Sequence, residues 1–153
     1  MSSLRARLIR AISHGNVHVY RWSSGRVGGR FGQAPVLLLT TRGRRSGTPR
    51  TTPLLYLPDD GDLAVVASNG GSLHHPAWYL NLSAEPCVEV QIRGERFRAT
   101  ARTARPEERE RVWPRLLEMY GPYATYQART RREIPVVLLT RRDERGESAY
   151  GAT

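Results

Sequence analysis

The chain contains no lysine: all 24 of its basic residues are arginine. That absence excludes enzymes built on a Schiff-base lysine and the phosphate-binding lysine of a Walker A loop. A single cysteine, Cys87, leaves no internal disulfide and no cysteine-rich zinc module. Set among strand-forming residues, it reads as a small core residue. No stretch approaches the roughly 18 apolar residues of a membrane-spanning helix. The first twenty residues also lack the continuous apolar core of a secretory signal, so a soluble cytoplasmic protein is expected. The G-x-S-x-G elbow of serine hydrolases is missing. His14 and His18 are four apart, but Gly15 lies between them and no glutamate follows. His74 and His75 have no carboxylate or cysteine nearby, so no metal site is expected.

What the chain does have is length enough for one core and an excess of positive charge. Residues 1–153 suit a single domain. A formal net charge of +10 and a pI near 10.9 point to an anionic partner. Nucleic acid, an anionic membrane surface and a phosphorylated or carboxylated small molecule all satisfy that condition.

Hydrophobic periodicity organises the chain. Leu4, Leu8, Ile9 and Ile12 share one face of an amphipathic helix within residues 1–20, with arginines flanking it. That helix either packs on the protein, covers a pocket or touches an anionic membrane. Residues 23–32 are glycine-rich and read as a loop. Apolar, β-branched runs predict strands over Ala34–Thr41, Arg50–Leu57, Leu63–Ser68, Cys87–Arg93, Glu95–Thr103 and Pro135–Thr140. Turns are expected at Arg42–Pro49 and Pro58–Asp62, and a hairpin bend at Gly94. Pro53 places the second strand at an edge or a bulge. Pro76 opens a short helix reaching about Leu82. Pro106, followed by Glu107 and Glu108, opens a longer one that Pro114 kinks or divides. Residues 141–153 form a loose polar tail. Six short strands with few helices imply a mainly β fold, a closed or nearly closed barrel with flanking helices, and disfavour a Rossmann arrangement.

Four constellations stand out. In Gly43-Arg44-Arg45-Ser46-Gly47-Thr48-Pro49-Arg50, glycines that permit positive φ let backbone N–H groups converge. Arg44, Arg45 and Arg50 add forked donors and Ser46 a hydroxyl, so the turn is either an anion site or a solvated hairpin tip. Ala67-Ser68-Asn69-Gly70-Gly71 ends a strand in paired glycines, giving close backbone approach to a ligand or an ordinary turn. Trp78 and Tyr79, in the helix after Pro76, serve either a core or a binding wall. Tyr120, Tyr123 and Tyr126 recur every third residue and line one side if that segment is helical. Such a stripe is a packing seam or the wall of a substrate pocket whose hydroxyls move protons.

Taken in order, these stretches resemble the deazaflavin-dependent nitroreductases, F-420-dependent oxidoreductases of the split β-barrel superfamily. The likeness rests on Leu37 through Gly47, Arg50 with Pro53-Leu54, Ala67 through Gly71, Pro76 through Leu82 with Pro86, and Tyr120 through Tyr126 before Arg132-Glu133-Ile134-Pro135. The resemblance implies a split barrel of about six strands that binds F-420, a hydride carrier with a phosphate-linked oligoglutamate tail. It places Arg44, Arg45, Ser46 and Arg50 on the phosphate and tail. Thr51, Thr52, Pro53, Leu54, Val66, Ala67, Ser68 and Asn69 would run along the coenzyme, and Ala77, Trp78, Tyr79, Leu80 and Asn81 would complete its wall. Ser68, Tyr120, Tyr123 and Tyr126 would face an acceptor such as a quinone, an enone or a nitroaromatic, with Tyr123 also touching the coenzyme. FMN, a non-catalytic F-420 carrier role and a basic nucleic-acid-binding barrel are the alternatives; the order of the motifs argues against the last. Some members carry lysine at the position of Asn69. The member that activates nitroimidazole prodrugs has tyrosine at the position of Leu55, so nitroimidazole reduction does not follow from the resemblance.

Overall fold

The computed structural model describes residues 30–32 and 34–143. The amphipathic segment 4–12, the paired His14 and His18, and the tail beyond Asp143 lie outside the described residues. Within them, eight strands form one sheet: β1 (Arg30–Phe31), β2 (Ala34–Arg42), β3 (Pro49–Leu55), β4 (Leu57–Asp59), β5 (Asp62–Val66), β6 (Cys87–Ile92), β7 (Glu95–Thr103) and β8 (Val136–Arg141). Three helices accompany them: α1 (Ala77–Ala84), α2 (Pro106–Met119) and α3 (Pro122–Arg129).

The strand order explains how the sheet closes. It runs β2-β6-β7-β8-β5-β4, with β3 on the other side of β2. Yet β3 and β4 are separated only by Tyr56, whose N–H donates to the carbonyl of Pro35 at 3.1 Å. The path from Pro49 to Asp59 therefore pairs with β2 in its first half and with β5 in its second. One bent stave joins the two ends of the sheet, and six staves complete a barrel. Pro53 sits in this stave opposite Leu38, and β3 pairs only with β2, the edge position at which a strand tolerates proline.

Period-two alternation decides which side chains fill the barrel. Leu37, Leu39, Val65, Ala67, Val88, Val90, Ala99, Ala101, Val137 and Leu139 point to one interior cluster, which Trp78 and Leu82 of α1 complete. The alternate residues Ala64, Val66, Val136 and Leu138 face a second cluster under α2 and α3, with Val112, Leu116 and Tyr123. β5 and β8 are buried on both faces, which is why they read as continuous apolar runs.

The structure corrects several local expectations. The Pro58–Asp62 turn shrinks to Asp60-Gly61, both at positive φ (49° and 86°), because Leu57–Asp59 is already strand. β5 stops at Val66, two residues early. Pro114 does not divide α2, which runs unbroken from Pro106 to Met119; Glu110, whose carbonyl Pro114 has no N–H to meet, is an exposed residue. Residues 30–31, read as loop, pair with β2. Cys87 is exposed, its Sγ accepting from Arg142 at 2.7 Å, since Val88 and Val90 take the inward positions of β6.

Candidate active site

The loop between β2 and β3 is tight and rich in donors. Gly47 N–H donates to the carbonyl of Gly43 at 2.8 Å, and Gly43 N–H to that of Thr48 at 2.9 Å. Gly47 holds φ +69°, which favours glycine, and a Cβ on Gly43 would fall 2.6 Å from Ser46 Oγ and 3.1 Å from the Thr48 carbonyl oxygen, so a side chain there would have to displace its neighbours. Ser46 Oγ accepts from Thr48 N–H at 3.2 Å. Arg44 is held on α1: its backbone N–H and its Nη1 both donate to Asn81 Oδ1, at 3.2 and 3.3 Å. Asn81, 4% exposed, gives its other polar atom to Thr41 Oγ1 at 3.2 Å. Its side chain therefore positions the loop.

Charge around this loop is uncompensated. Arg102, Arg105, Arg109, Arg111, Arg115 and Arg141 all pair with carboxylates. None of Arg42, Arg44, Arg45 and Arg50 forms an ion pair with a described acid. Arg42 was missed by the sequence reading as a site residue. Its guanidinium lies 3.7 Å from where a Gly47 Cβ would stand, and the only local signal is its place at the end of β2 opposite Pro49.

Beyond the loop, Thr51, Thr52, Pro53 and Leu54 are half-buried on the free edge of β3, and Thr40 and Thr51 share a hydrogen bond at 2.8 Å. Val66 and Ala67 are buried, Ser68 is half-buried and Asn69 exposed. On α1, Ala77 is exposed and Tyr79 and Leu80 are half-buried, with the Tyr79 hydroxyl 2.9 Å from Thr103 Oγ1. Trp78, 7% exposed, belongs to the barrel interior.

After β5 the backbone takes three consecutive left-handed residues, Asn69, Gly70 and Gly71 (φ 47°, 64° and 79°). This turn lies against α3 so closely that a Cβ on Gly71 would stand 2.6 Å from the carbonyl oxygen of Tyr126. The tyrosines cluster there. Tyr120 follows α2, while Tyr123 and Tyr126 lie on α3, and their ring centroids are 4.9 to 6.3 Å apart. The hydroxyls of Tyr120 and Tyr126 are 3.3 Å apart. Burial, then the Tyr126 hydroxyl, push Tyr120 up to about 12, and burial raises Tyr123 as well. Tyr120 and Tyr123 thus keep their hydroxyl protons at physiological pH. Phe31, 62% exposed, sits edge-on to Tyr120 at 6.0 Å.

Two side chains without a role in the sequence reading tie these pieces together. Arg132 bonds to the turn after β5, and Gln127 receives Arg109 Nη2 and the Ile134 N–H while donating to the Arg132 carbonyl. Their partners are in part more than fifty residues away, beyond any local pattern. Two clefts, of about 340 Å³ beside Asp59, Asp62 and Arg102 and about 220 Å³ beside Leu63, Phe97 and Leu139, include none of the site residues expected from sequence.

The model of the F420H(2)-dependent quinone reductase family matches residues 12–141. The chain belongs to the F420H(2)-dependent quinone reductase family. Its relatives include the F420H(2)-dependent quinone reductase Rv1261c of Mycobacterium tuberculosis, 44% identical over 128 residues, which are 81% of this chain and 86% of that protein. Among solved structures, an F420-H2 dependent reductase, FDR-A, is 44% identical with a TM-score of 0.63 over 69% of this chain and 93% of that one. Another, described as a domain-swapped dimer, is 37% identical with a TM-score of 0.64 over 90% and 97% of the two chains. As a member of the quinone reductase family, the chain is an oxidoreductase that works with F-420, and its barrel is the split barrel expected from sequence.

Proposed function

We propose that the chain binds reduced F-420 along the face running from the Arg44 loop to the tyrosine cluster and there reduces a quinone. The uncompensated guanidinia of Arg42, Arg44, Arg45 and Arg50 carry this reading. A donor set of that kind fits a coenzyme with a phosphate and a polyglutamate tail, and it has no structural carboxylate to satisfy. The loop connects to the rest of the face through α1. Asn81 holds Arg44 at one end, and His75, just before the helix, meets Arg132 and the turn after β5 at the other.

When bound, the coenzyme supplies a two-electron hydride; the chain supplies binding, orientation and proton donors. Arg44, Arg45 and Arg50, with Ser46, hold the anionic part. Thr51 to Leu54 and Val66 to Asn69 lie along the coenzyme, the two buried members through backbone. Ala77, Tyr79 and Leu80 close its wall, while Trp78 and Asn81 fix that wall from inside. Ser68, Tyr120 and Tyr126 face the acceptor, while Tyr123, buried in the second core cluster, supports the two tyrosine rings from beneath instead of facing it as expected from sequence. The facing hydroxyls donate to a quinone oxygen as negative charge develops on it, and the raised Tyr120 value keeps that donor protonated. An apolar acceptor also gives the amphipathic segment 4–12 a use at the inner membrane face, which vesicle flotation tests.

Titration with oxidised F-420, followed by tryptophan quenching with FMN in parallel, tests the coenzyme assignment. Saturable binding of F-420 alone is expected; binding of FMN alone overturns it. Ser68→Ala should lower turnover with quinone more than it weakens F-420 binding. The reverse pattern would place Ser68 on the tail instead of the ring.

A further inference from the structure

Arg132, on the connection from α3 to β8, spends its whole guanidinium on one distant segment. Nη2 donates to the Ser68 carbonyl at 2.8 Å and to the Ala67 carbonyl at 3.4 Å. Nη1 reaches the same Ala67 carbonyl at 3.4 Å and His75 Nδ1 at 3.1 Å, and Nε donates to the Ser72 carbonyl at 2.9 Å. The side chain pairs with no described carboxylate; carbonyl dipoles receive its charge. Its own backbone is held at both ends, since its N–H donates to Thr130 Oγ1 at 3.3 Å and its carbonyl accepts from Gln127 Nε2 at 2.8 Å.

The segment it grips needs such a hold. Asn69, Gly70 and Gly71 are all left-handed, a run that costs backbone energy at Asn69 and conformational entropy at both glycines. Ala67 is fully buried, so without the guanidinium its carbonyl loses a partner that water is poorly placed to replace. A guanidinium only donates, so His75 Nδ1 accepts and the imidazole proton stands on Nε2. The ring is further held by Tyr79, with centroids 4.8 Å apart.

We propose that Arg132 is a positioning residue of the F-420 site. Its forked donors set the backbone of residues 67–72 in the shape that receives the coenzyme, and they fix His75 as the Nε2–H tautomer. This rests on the coenzyme placement proposed above. The three bonded carbonyls, of Ala67, Ser68 and Ser72, bracket the left-handed turn that packs against α3 and its tyrosines at Gly71. A shift of that backbone therefore alters how F-420 seats against the acceptor side.

The test uses the full chain with Arg132→Ala and Arg132→Lys. The readouts are F-420 affinity, KM for reduced F-420 against kcat with a simple benzoquinone, thermal melting, and the His75 imidazole titration by NMR. Arg132→Ala should weaken F-420 binding and raise that KM by about tenfold, the scale of one charge-assisted hydrogen bond, while kcat changes far less. Arg132→Lys should fall between, because an ammonium keeps the charge but not the fork. The His75 titration should move upward in Arg132→Ala, which removes both the nearby charge and the donor to Nδ1. Native affinity and KM in a folded Arg132→Ala protein would overturn the proposal. Should that variant fail to fold, native F-420 affinity and native KM in Arg132→Lys would overturn it instead. A native chain that never saturates with F-420 would overturn the coenzyme reading and this proposal together.

Discussion

At the scale of single residues, the structure separates side chains that meet solvent from those that shape the site from beneath. Arg50 is exposed on β3 without an acidic partner, whereas Trp78 is 7% exposed in the barrel interior. Sequence reasoning expects Ala substitutions at both to weaken coenzyme binding while sparing the fold. Packing divides them. Arg50→Ala should weaken F-420 binding by about tenfold, from loss of one charge-assisted contact, with an unchanged melting temperature. Trp78→Ala removes a core ring and should cost about 3–5 kcal/mol of stability. Denaturant melts and coenzyme titrations of the two variants check the contrast, and a stable Trp78→Ala protein would place the indole outside the core. Asn81 shows the same division. Its motif position is visible in sequence, but its grip on Arg44 and Thr41 spans 37 and 40 residues.

At the scale of elements, the turn after β5 and helix α3 are coupled through Gly71. Its φ of +79° and the 2.6 Å approach to the Tyr126 carbonyl leave no room for a methyl group. Gly71→Ala should destabilise the protein by about 1–3 kcal/mol and disturb the tyrosine cluster. Thermal melting together with tyrosine fluorescence would show both, and a native melt would remove the argument for close packing there. The same turn has an acid sensitivity. Burial, and then the Arg132 charge, lower His75 below its ordinary 6.5, so the folded state favours the neutral ring. A lowered histidine contributes stability that is full above 6.5 and is lost as pH falls through the folded value. Melting on the acid side of neutrality should therefore fall less steeply in His75→Asn than in the native chain. Helix α3 itself was legible only in part. The tyrosine spacing fitted a helix, but Gly121-Pro122 separates α3 from α2, so Tyr120 lies outside the helix that carries Tyr123 and Tyr126.

At the scale of the whole molecule, a net charge of +10 acts on a polyanionic coenzyme over more than contact distance. F-420 affinity should fall steadily as ionic strength rises, and fall less for a deazaflavin lacking the glutamate tail, because salt screens attraction between exposed charges, largely so beyond about 10 Å at 0.1 M. Parallel titrations across salt would show equal slopes if the tail met no arginines. The barrel is the other whole-molecule property. All six staves were readable as strands, since β-branched runs between turn residues have one economical use, and three of them read as continuous runs because they are buried on both faces or nearly so. Closure was not readable. It depends on the stave from Pro49 to Asp59 bending at Tyr56 to pair with β2 and then β5, and no periodicity within that stretch records its partners.

Residue types and their local order determined the strands, the glycine turns, the arginine loop and the family likeness, because each depends on backbone preference or on chemistry within a few residues. Only the tertiary structure decided which side chains of those motifs meet solvent. It also decided that Cys87 faces outward, and that Arg132 and Gln127 gather the turn after β5, α3 and β8 into one face. Those outcomes depend on contacts between residues far apart in the chain, and their geometry exists only once the barrel has closed.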